Sequence, residues 1–267
     1  LDCYAAYNQI PIKKEHRHKT AFYAYYKGSP KLFEMNVMTF GLKSAGSTLN
    51  RAIQTILDTP SDGFPQGCSA FCINYSDDIC IFSPSAADHI THVDEVLRRL
   101  LHNKMFLKGE KCLFAENSVE LLGHIVKHNS ITLQKSKIDA ISDAPVPTTL
   151  KSLRRFLGMC QYYRKFIKGY SGIASDLTNL TKKNKDGTYW NGDRSRWGRK
   201  QQSAFEKLKS KLVTSPVLKA FRHELPSRVI SDASRVAIGG VLLQKHNDGW
   251  HPIEYHSEML TDRQTRN

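Results

Sequence analysis

The sequence predicts an α+β fold in which hairpins come first, amphipathic helices follow, and a second β-rich segment closes the chain. Three observations carry this. Phe71-Cys72-Ile73-Asn74-Tyr75-Ser76-Asp77-Asp78-Ile79-Cys80-Ile81-Phe82 is two runs of β-formers broken only by Ser-Asp-Asp, which reads as a tight hairpin with carboxylates at its tip. Residues 85–104 and 149–167 carry apolar side chains at helical spacing. From Ser227 onward, three short strand candidates succeed one another as a meander.

The length of 267 residues allows one large domain or two to three small ones. Apolar content of 40% with 24% charged residues suits a folded chain and excludes a disordered one. No apolar run is long enough to span a bilayer and no signal-peptide pattern opens the chain, so no membrane partner is expected. Cys3, Cys68, Cys72, Cys80, Cys112 and Cys160 are scattered without zinc-finger spacing, which points to reduced, buried thiols inside a cell. His89 and His92 could share a helix face, but no second ligand pair accompanies them, and exposed helix residues are the simpler reading.

The net charge of +14 is concentrated. Between Lys151 and Arg222 there are 18 Lys/Arg against four Asp/Glu, while the rest of the chain balances with 21 of each sign. Basic charge gathered into one segment suits a polyanion, and nucleic acid comes first.

In chain order, Leu1-Asp2-Cys3-Tyr4-Ala5-Ala6-Tyr7 sets an acid beside a strand end with an aromatic five residues later. Residues 20–26 read as a strand, Lys27-Gly28-Ser29-Pro30 as a turn and residues 31–37 as the returning strand. A loop over residues 38–48 leads into a helix that runs to about Leu57, with Leu49, Ile53, Ile56 and Leu57 on one face and Ser44 or Ser47 as its cap. Residues 61–67 form a surface loop before the acidic hairpin. A bare Asp-Asp pair is most often a solvated turn, but here the flanks are so apolar that the tip is the only wet part of a buried element.

The helix over 85–104 presents Ile90, Val93, Leu97, Leu100 and Leu101, and residues 111–114 and 119–126 read as two more strands. Thr148 or Thr149 caps a helix to about Ile167, with Leu153, Phe156, Leu157, Cys160, Tyr163 and Ile167 inward. Lys151, Arg154, Arg155, Arg164 and Lys165 lie largely outward, where they can grip a nucleic-acid backbone. Residues 182–198 read as an exposed linker, residues 201–213 as a helix, and Asp232 stands at the end of the strand Val229-Ile230-Ser231. The chain does not open on Met and reads as a piece of something longer.

Five of these motifs fall into one order: Asp2 with Tyr7; Phe40-Gly41-Leu42-Lys43-Ser44-Ala45 before a helix; Tyr75-Ser76-Asp77-Asp78; Leu122-Gly123-His124; and Tyr162-Tyr163-Arg164-Lys165-Phe166-Ile167. Each is weak alone. Together, over nearly the whole chain, they resemble a reverse transcriptase, most closely that of a gypsy-type long-terminal-repeat retrotransposon Pol polyprotein.

The resemblance implies a right-hand polymerase. Residues 1–125 would be the palm, antiparallel sheet with helices, carrying part of the fingers. Residues 126–185 would be a helical thumb, 186–222 a linker or tether, and 223–267 the opening of a truncated RNase H-like α/β segment. Asp2, Asp77 and Asp78 match the catalytic carboxylates, which with the Cys3 carbonyl would hold two Mg²⁺ ions, Mn²⁺ being the alternative. Tyr4, Ala5 and Ala6 match the turn against the incoming triphosphate, Tyr7 the aromatic that excludes a ribose 2′-OH, and Phe40 and Gly41 the loop beside the templating pair. Leu122 and Gly123 match the primer grip. Lys108 and Lys111 both lie near the position that assists pyrophosphate departure, and the choice stays open. Asp232 matches the first RNase H metal ligand. The implied partners are an RNA or DNA template with its primer, dNTP, and the protease and integrase segments of the same polyprotein. The implied place is the cytoplasm within virus-like particles, with the nucleus as an alternative.

This chain departs from the family pattern at Gly46, where Pro is usual, at Asn50 in place of Gln, at Thr39 in place of Pro, and in a longer stretch over 59–68. It begins at the first matched aspartate, so the basic fingers residues that hold the triphosphate are expected upstream, and it stops before the remaining RNase H carboxylates.

The chemistry implied is attack by a primer 3′-OH on the α-phosphate of a dNTP. It uses two hard cations roughly 3.5–4 Å apart, for which carboxylates are the fitting ligands. Asp2 must then lie on a strand beside the 75–78 hairpin. Tyr7 and Phe40 also suit core packing. The readings to weigh against a polymerase are an inactive or domesticated Pol segment that only binds nucleic acid and, less favoured, an RNA-directed RNA polymerase.

Overall fold

Apolar residues at strand and helix spacing build two units, Leu1–Glu116 and Asn117–Asn267, in a computed structural model that describes residues 1–184, 186–234, 237–261 and 264. In the first unit a single turn, α1 (Lys14–Arg17), precedes the antiparallel pair β1 (Phe22–Tyr26) and β2 (Ser29–Phe33). Lys27 and Gly28 make the turn with φ of 51° and 78°, the left-handed pair that matches strand twist. The turn is therefore shorter than expected: Ser29 and Pro30 already belong to β2, which stops at Phe33.

Helix α2 (Ala45–Asp58) buries Ala45, Leu49, Ile53 and Leu57, an i, i+4 stripe, and Ile56 sits half-buried at its margin. Ser44 is its N-cap residue, although its hydroxyl makes no capping bond. The hairpin β3 (Cys72–Tyr75) and β4 (Asp78–Ile81) leads to α3 (Ala86–His102), where the Ser85 hydroxyl accepts from the Asp88 N–H at 3.1 Å.

The buried face of α3 differs from the apolar stripe expected for it. Val96 and Leu100 are buried together with Glu95 and Arg99, while Ile90 and Leu101 are exposed. The charged pair wins that face because it satisfies the end of α2. Arg99 donates to the carbonyls of Leu57 (2.8 Å), Ile56 (3.3 Å) and Thr59, groups left without helical partners. Glu95 in turn accepts from Arg99 Nε (2.6 Å), Arg98 Nε (3.1 Å) and Ser61 Oγ (2.7 Å). His89 and His92 are half-buried rather than exposed, both within reach of Ser83 Oγ, and His92 stacks on Phe71 at 3.8 Å. The strand expected over 111–114 is absent. A 3₁₀ turn, Gly109–Lys111, stands there, Leu113 and Phe114 are exposed, and no neighbouring strand offers a ladder.

In the second unit β5 (Ser118–Leu121), β6 (His124–Lys127) and β7 (Ser130–Leu133) pair antiparallel. The single strand expected over 119–126 is a hairpin, because Leu122 (φ 49°) and Gly123 (φ 71°) reverse the chain. Helix α4 (Lys135–Ser142) follows, then α5 (Leu150–Tyr162), capped by a reciprocal Thr149–Ser152 box. Helix α5 ends before Ile167. A 3₁₀ turn, Arg164–Phe166, and Gly169 at φ 69° redirect the chain into α6 (Tyr170–Leu180).

The linker expected over 186–222, with exposed residues 189–200, is instead built into the core. Trp190 is 2% exposed and stacks against Trp197 at 5.8 Å; α7 (Arg199–Val213) buries Ala204, Phe205, Leu208 and Leu212; and β8 (Leu218–Lys219) pairs with β7. Two tryptophans bury enough area to outweigh the polar composition around them. The chain then forms the meander β9 (Ser227–Ala233), β10 (Ala237–His246) and β11 (Gly249–Met259), in the order β11-β10-β9. Pro252 lies where the β10–β11 register shifts, on an edge strand that can spare an N–H. The fully buried Gln244 joins β10 to the backbone of Arg222, on both its N–H and its carbonyl. Among the described residues no helix is long and apolar enough to cross a membrane.

Breaking the Glu95–Arg99 pair tests this account of the α2–α3 contact. Arg99→Met leaves Glu95 with only Arg98 and Ser61 and removes the guanidinium donors to the Ile56 and Thr59 carbonyls, so unfolding in urea should show a loss of about 1–3 kcal/mol. Burial raises the Glu95 pKa, but the hydrogen bonds from Ser61, Arg98 and Arg99 outweigh it and hold the carboxyl below its usual range. Its contribution is therefore complete above an unfolded-state pKa of about 4.3 and is lost as pH falls below it. The urea midpoint should drop with acid in wild type and less so in Glu95→Gln.

Candidate active site

The chain start lies beside the acidic hairpin. Ile79 N–H donates to the Leu1 carbonyl (2.9 Å), the Leu1 ammonium to the Ile79 carbonyl (2.6 Å), and Cys3 N–H to the Asp77 carbonyl (3.2 Å). Asp2 and Asp78 are thereby paired across an antiparallel bridge. Asp2 is thus brought beside the hairpin that carries Asp77 and Asp78. Ser76 and Asp77 occupy the two-residue turn, and Asp78 is the first residue of β4. Ser76 has φ 58°, a left-handed conformation disfavoured for a residue with a Cβ. Asn50, from α2, holds it: its Oδ1 accepts from Ser76 N–H at 3.3 Å and from Asn74 Nδ2 at 2.9 Å.

Burial, and then the charges of Asp77 and Asp2, raise the Asp78 pKa, with the chain-terminal ammonium and Lys111 opposing. Lys111 Nζ stands 3.6 Å from Asp2 Oδ2. Lys108 instead gives its N–H to the Asp2 carbonyl (2.9 Å) and its ammonium to Glu110 (3.8 Å). Of the two candidate lysines, Lys111 is the one whose charge faces the carboxylates. The Cys3 thiol is buried and pushed up to about 11 by that burial and by Asp77 and Asp2, so it is an inert filler of the core. Among the described residues no three His, Cys, Asp or Glu side chains close on a single point.

Tyr4 to Tyr7 form a turn beside these acids. Ala5 is left-handed at φ 42°, Ala6 is buried, and a 3₁₀ turn covers Ala6–Gln9. Gln9 staples it: its Nε2 donates to the Tyr4 and Phe106 carbonyls, and its Oε1 accepts from Phe106 N–H at 2.6 Å. Tyr7 and Phe40 rings meet at 4.9 Å, and the Tyr7 hydroxyl lies 3.6 Å from where a Cβ on Gly46 would sit. Core packing does not describe Phe40, which is 79% exposed beside Gly41 at φ 92°.

The remaining candidates lie in the second unit. Leu122 and Gly123 form the β5–β6 turn. Lys151, Arg154, Arg155 and Arg164 are exposed along and just after α5, with Arg154 5.1 Å over the Tyr189 ring. Lys165 is half-buried, and that burial lowers its pKa. Asp232 is exposed on β9, opposite Gly239 of β10.

The family model described as "Reverse transcriptase (RNA-dependent DNA polymerase)" matches residues 1–126, and that of an "RNase H-like domain found in reverse transcriptase" matches residues 197–267. Residues 1–126 are thus a reverse transcriptase domain, with an RNase H-like domain at residues 197–267. The "Transposon Tf2-3 polyprotein" and "Transposon Tf2-7 polyprotein" of Schizosaccharomyces pombe are each 33% identical to this chain over 265 residues, 99% of it. The chain spans 18% of the length of those relatives. Among solved structures, the foamy viral protease-reverse transcriptase in complex with double-stranded DNA aligns with a TM-score of 0.80 at 22% identity. That match covers 99% of this chain and 43% of the other. The same viral protein with an RNA/DNA hybrid gives 0.78 at 22%, covering 99% and 33%. The expected mixed polymerase fold, palm and thumb followed by an RNase H-like part, is borne out by these likenesses.

Several groups that shape the reverse transcriptase site have no signature of their own in the sequence. Gln9 and Asn50 act through single amides on backbone that only the fold brings near, and the Tyr162-Tyr163 motif gives no sign of what its hydroxyls reach. Asn50→Ala removes both acceptor contacts at the hairpin tip and should cost about 1 kcal/mol in a urea titration.

Proposed function

We propose that this chain carries the nucleotidyl-transfer centre of an RNA-directed DNA polymerase. The observation that supports it most is the Asp2–Asp78 bridge, which sets Asp2 beside Asp78, the neighbour of Asp77. Burial first, and then the charges of Asp77 and Asp2, raise the Asp78 pKa. The donor chemistry fits Mg²⁺, which takes one or two carboxylates and completes its shell with water and substrate phosphates. A third protein ligand is not needed. Asp2 and Asp77, assisted by Asp78 and the Cys3 carbonyl, would hold the ions, and Mn²⁺ is accommodated by the same oxygens. When bound, such ions activate the primer 3′-OH and neutralise the departing pyrophosphate.

The residues themselves divide the remaining work. The turn from Cys3 through Tyr4, Ala5 and Ala6 offers backbone to a triphosphate, with Ala5 left-handed within it. Tyr7, braced by Phe40, stands as the gate against a 2′-OH, with Phe40 and Gly41 beside the templating pair. Lys111 gives a positive charge next to Asp2 from which a leaving phosphate can gain. Leu122 and Gly123 are the turn assigned to the primer end, and Lys151, Arg154, Arg155, Arg164 and Lys165 to the backbone of a primer–template. Asp232 is the carboxylate of the RNase H-like meander; one carboxylate does not hold two metals, so no hydrolytic step is assigned to the described residues. That relatives are polyproteins fits other segments of one polyprotein as partners; protease and integrase segments, and the cytoplasm within virus-like particles, complete the proposal.

Primer extension on an RNA template with dNTPs and Mg²⁺, by the full polyprotein-derived enzyme, should add nucleotides and stop on chelation. Asp77→Asn should lower the rate by more than about a hundredfold. If the unmodified enzyme binds template yet adds nothing, nucleic-acid binding alone is the function. Tyr7→Ala should raise the rNTP to dNTP incorporation ratio, and an unchanged ratio removes the gate. Template affinity should fall steeply with salt.

A further inference from the structure

We propose that Tyr162 and Tyr163 are positioning residues for the primer end. From the C-terminus of α5 their hydroxyls latch the Leu122–Gly123 turn, on the reading above that this turn meets the primer terminus. The turn is conformationally expensive: Leu122 and Gly123 are consecutive left-handed residues, and a leucine does not rest there unaided. Both of its carbonyls are engaged from α5. Tyr162 Oη donates to the Leu122 carbonyl at 2.6 Å, and Tyr163 Oη donates to the Gly123 carbonyl at 3.3 Å.

His124 adds a second donor. Its Nδ1 lies 2.9 Å from the same Leu122 carbonyl, so that nitrogen carries the hydrogen. The three rings also brace one another. Tyr162 and Tyr163 meet edge-on at 4.9 Å, and His124 contacts Tyr163 at 5.5 Å, Tyr162 at 5.7 Å and Phe166 at 5.7 Å. Tyr163 and His124 are buried, so the latch is anchored in the core rather than in solvent.

The fit is close enough to dictate glycine. A Cβ at Gly123 would come within 2.7 Å of the Tyr163 hydroxyl, quite apart from the positive φ. With both carbonyls held inward, the half-exposed Leu122 side chain is the part of the turn presented outward. Arg164 and Lys165 follow directly on Tyr163, so one short segment sets the turn and carries two of the charges assigned to the nucleic-acid backbone. A shift of that segment on a duplex would move the turn with it.

The double variant Tyr162→Phe/Tyr163→Phe keeps both rings and removes both hydroxyls. In the full polyprotein-derived enzyme the Kd for a recessed primer–template should rise about tenfold, with KM for dNTP changed by less than about twofold. Amide hydrogen exchange over residues 121–124 should quicken in the same variant. Unchanged exchange overturns the latch, and faster exchange with unchanged primer affinity overturns its role at the primer. An unmodified enzyme that adds no nucleotide removes the polymerase reading itself, and exchange still reports on the latch. If the double variant loses its cooperative melt, Gly123→Ala and Gly123→Ala/Tyr163→Phe replace it. Gly123→Ala should weaken primer binding, and removal of the Tyr163 hydroxyl should restore part of it. No restoration overturns the proposal.

Discussion

Three backbone hydrogen bonds between residues 1–3 and 77–79 carry the architecture of the first unit. They bring Asp2 beside Asp78 at the hairpin tip, where burial first and then the charges of Asp77 and Asp2 raise the Asp78 pKa. Such a tip persists only if the elements beneath it are rigid. Leu49 and Ile53 of α2, Ile79 of β4, and Val96 and Leu100 of α3 are all but inaccessible to solvent and supply that base. Arg99 then ties the end of α2 to α3, and Asn50, one residue past Leu49, reaches the strained Ser76. The same helix therefore bears core on one face and holds the carboxylate turn from another.

The second unit solves a different problem with similar means. Its sheet is small, and the strand β8 has only two residues. Stability comes from the helices α5, α6 and α7, whose buried residues form one cluster with Trp190 and Leu218. A turn with two left-handed residues can be kept in such a unit because two tyrosines, Tyr163 buried and Tyr162 exposed, complete its hydrogen bonds. Strain at Ser76 and at Leu122 is thus handled alike, by a side-chain partner from a neighbouring helix rather than by glycine.

Charge and shape are separated along the chain. The carboxylates belong to a unit that is nearly balanced in charge, while the basic residues of α5 belong to the other, where most of the net charge of the chain is concentrated. A separation of this kind suits the proposed polymerase role, since contacts to a nucleic-acid backbone position it without reading its sequence. Carbonyl and amide contacts do the finer positioning, and they carry no net charge of their own.

What the sequence by itself determined is the part written in local chemistry. Ser76-Asp77-Asp78 between β-formers reads as a hairpin, Leu49, Ile53 and Leu57 as a buried helix face, Thr149 as a helix cap, and the meander from Ser227 as strands; all of these stand in the structure. The order of the motifs was enough for the family. Tertiary structure alone decided what depends on partners far along the chain. The face of α3 went to Glu95 and Arg99 because the α2 carbonyls lay within reach, which no periodicity shows. Residues 119–126 broke into a hairpin because Tyr162 and Tyr163, forty residues on, hold the turn. The polar segment around Trp190 entered the core because Trp197 and Phe205 were there to meet it. Local propensity is a property of a few neighbouring residues, whereas desolvation and hydrogen-bond satisfaction are settled only when distant groups share one place. Asp2 shows both sides: its sequence motif marked it, and only its pairing with Asp78 made it part of a site.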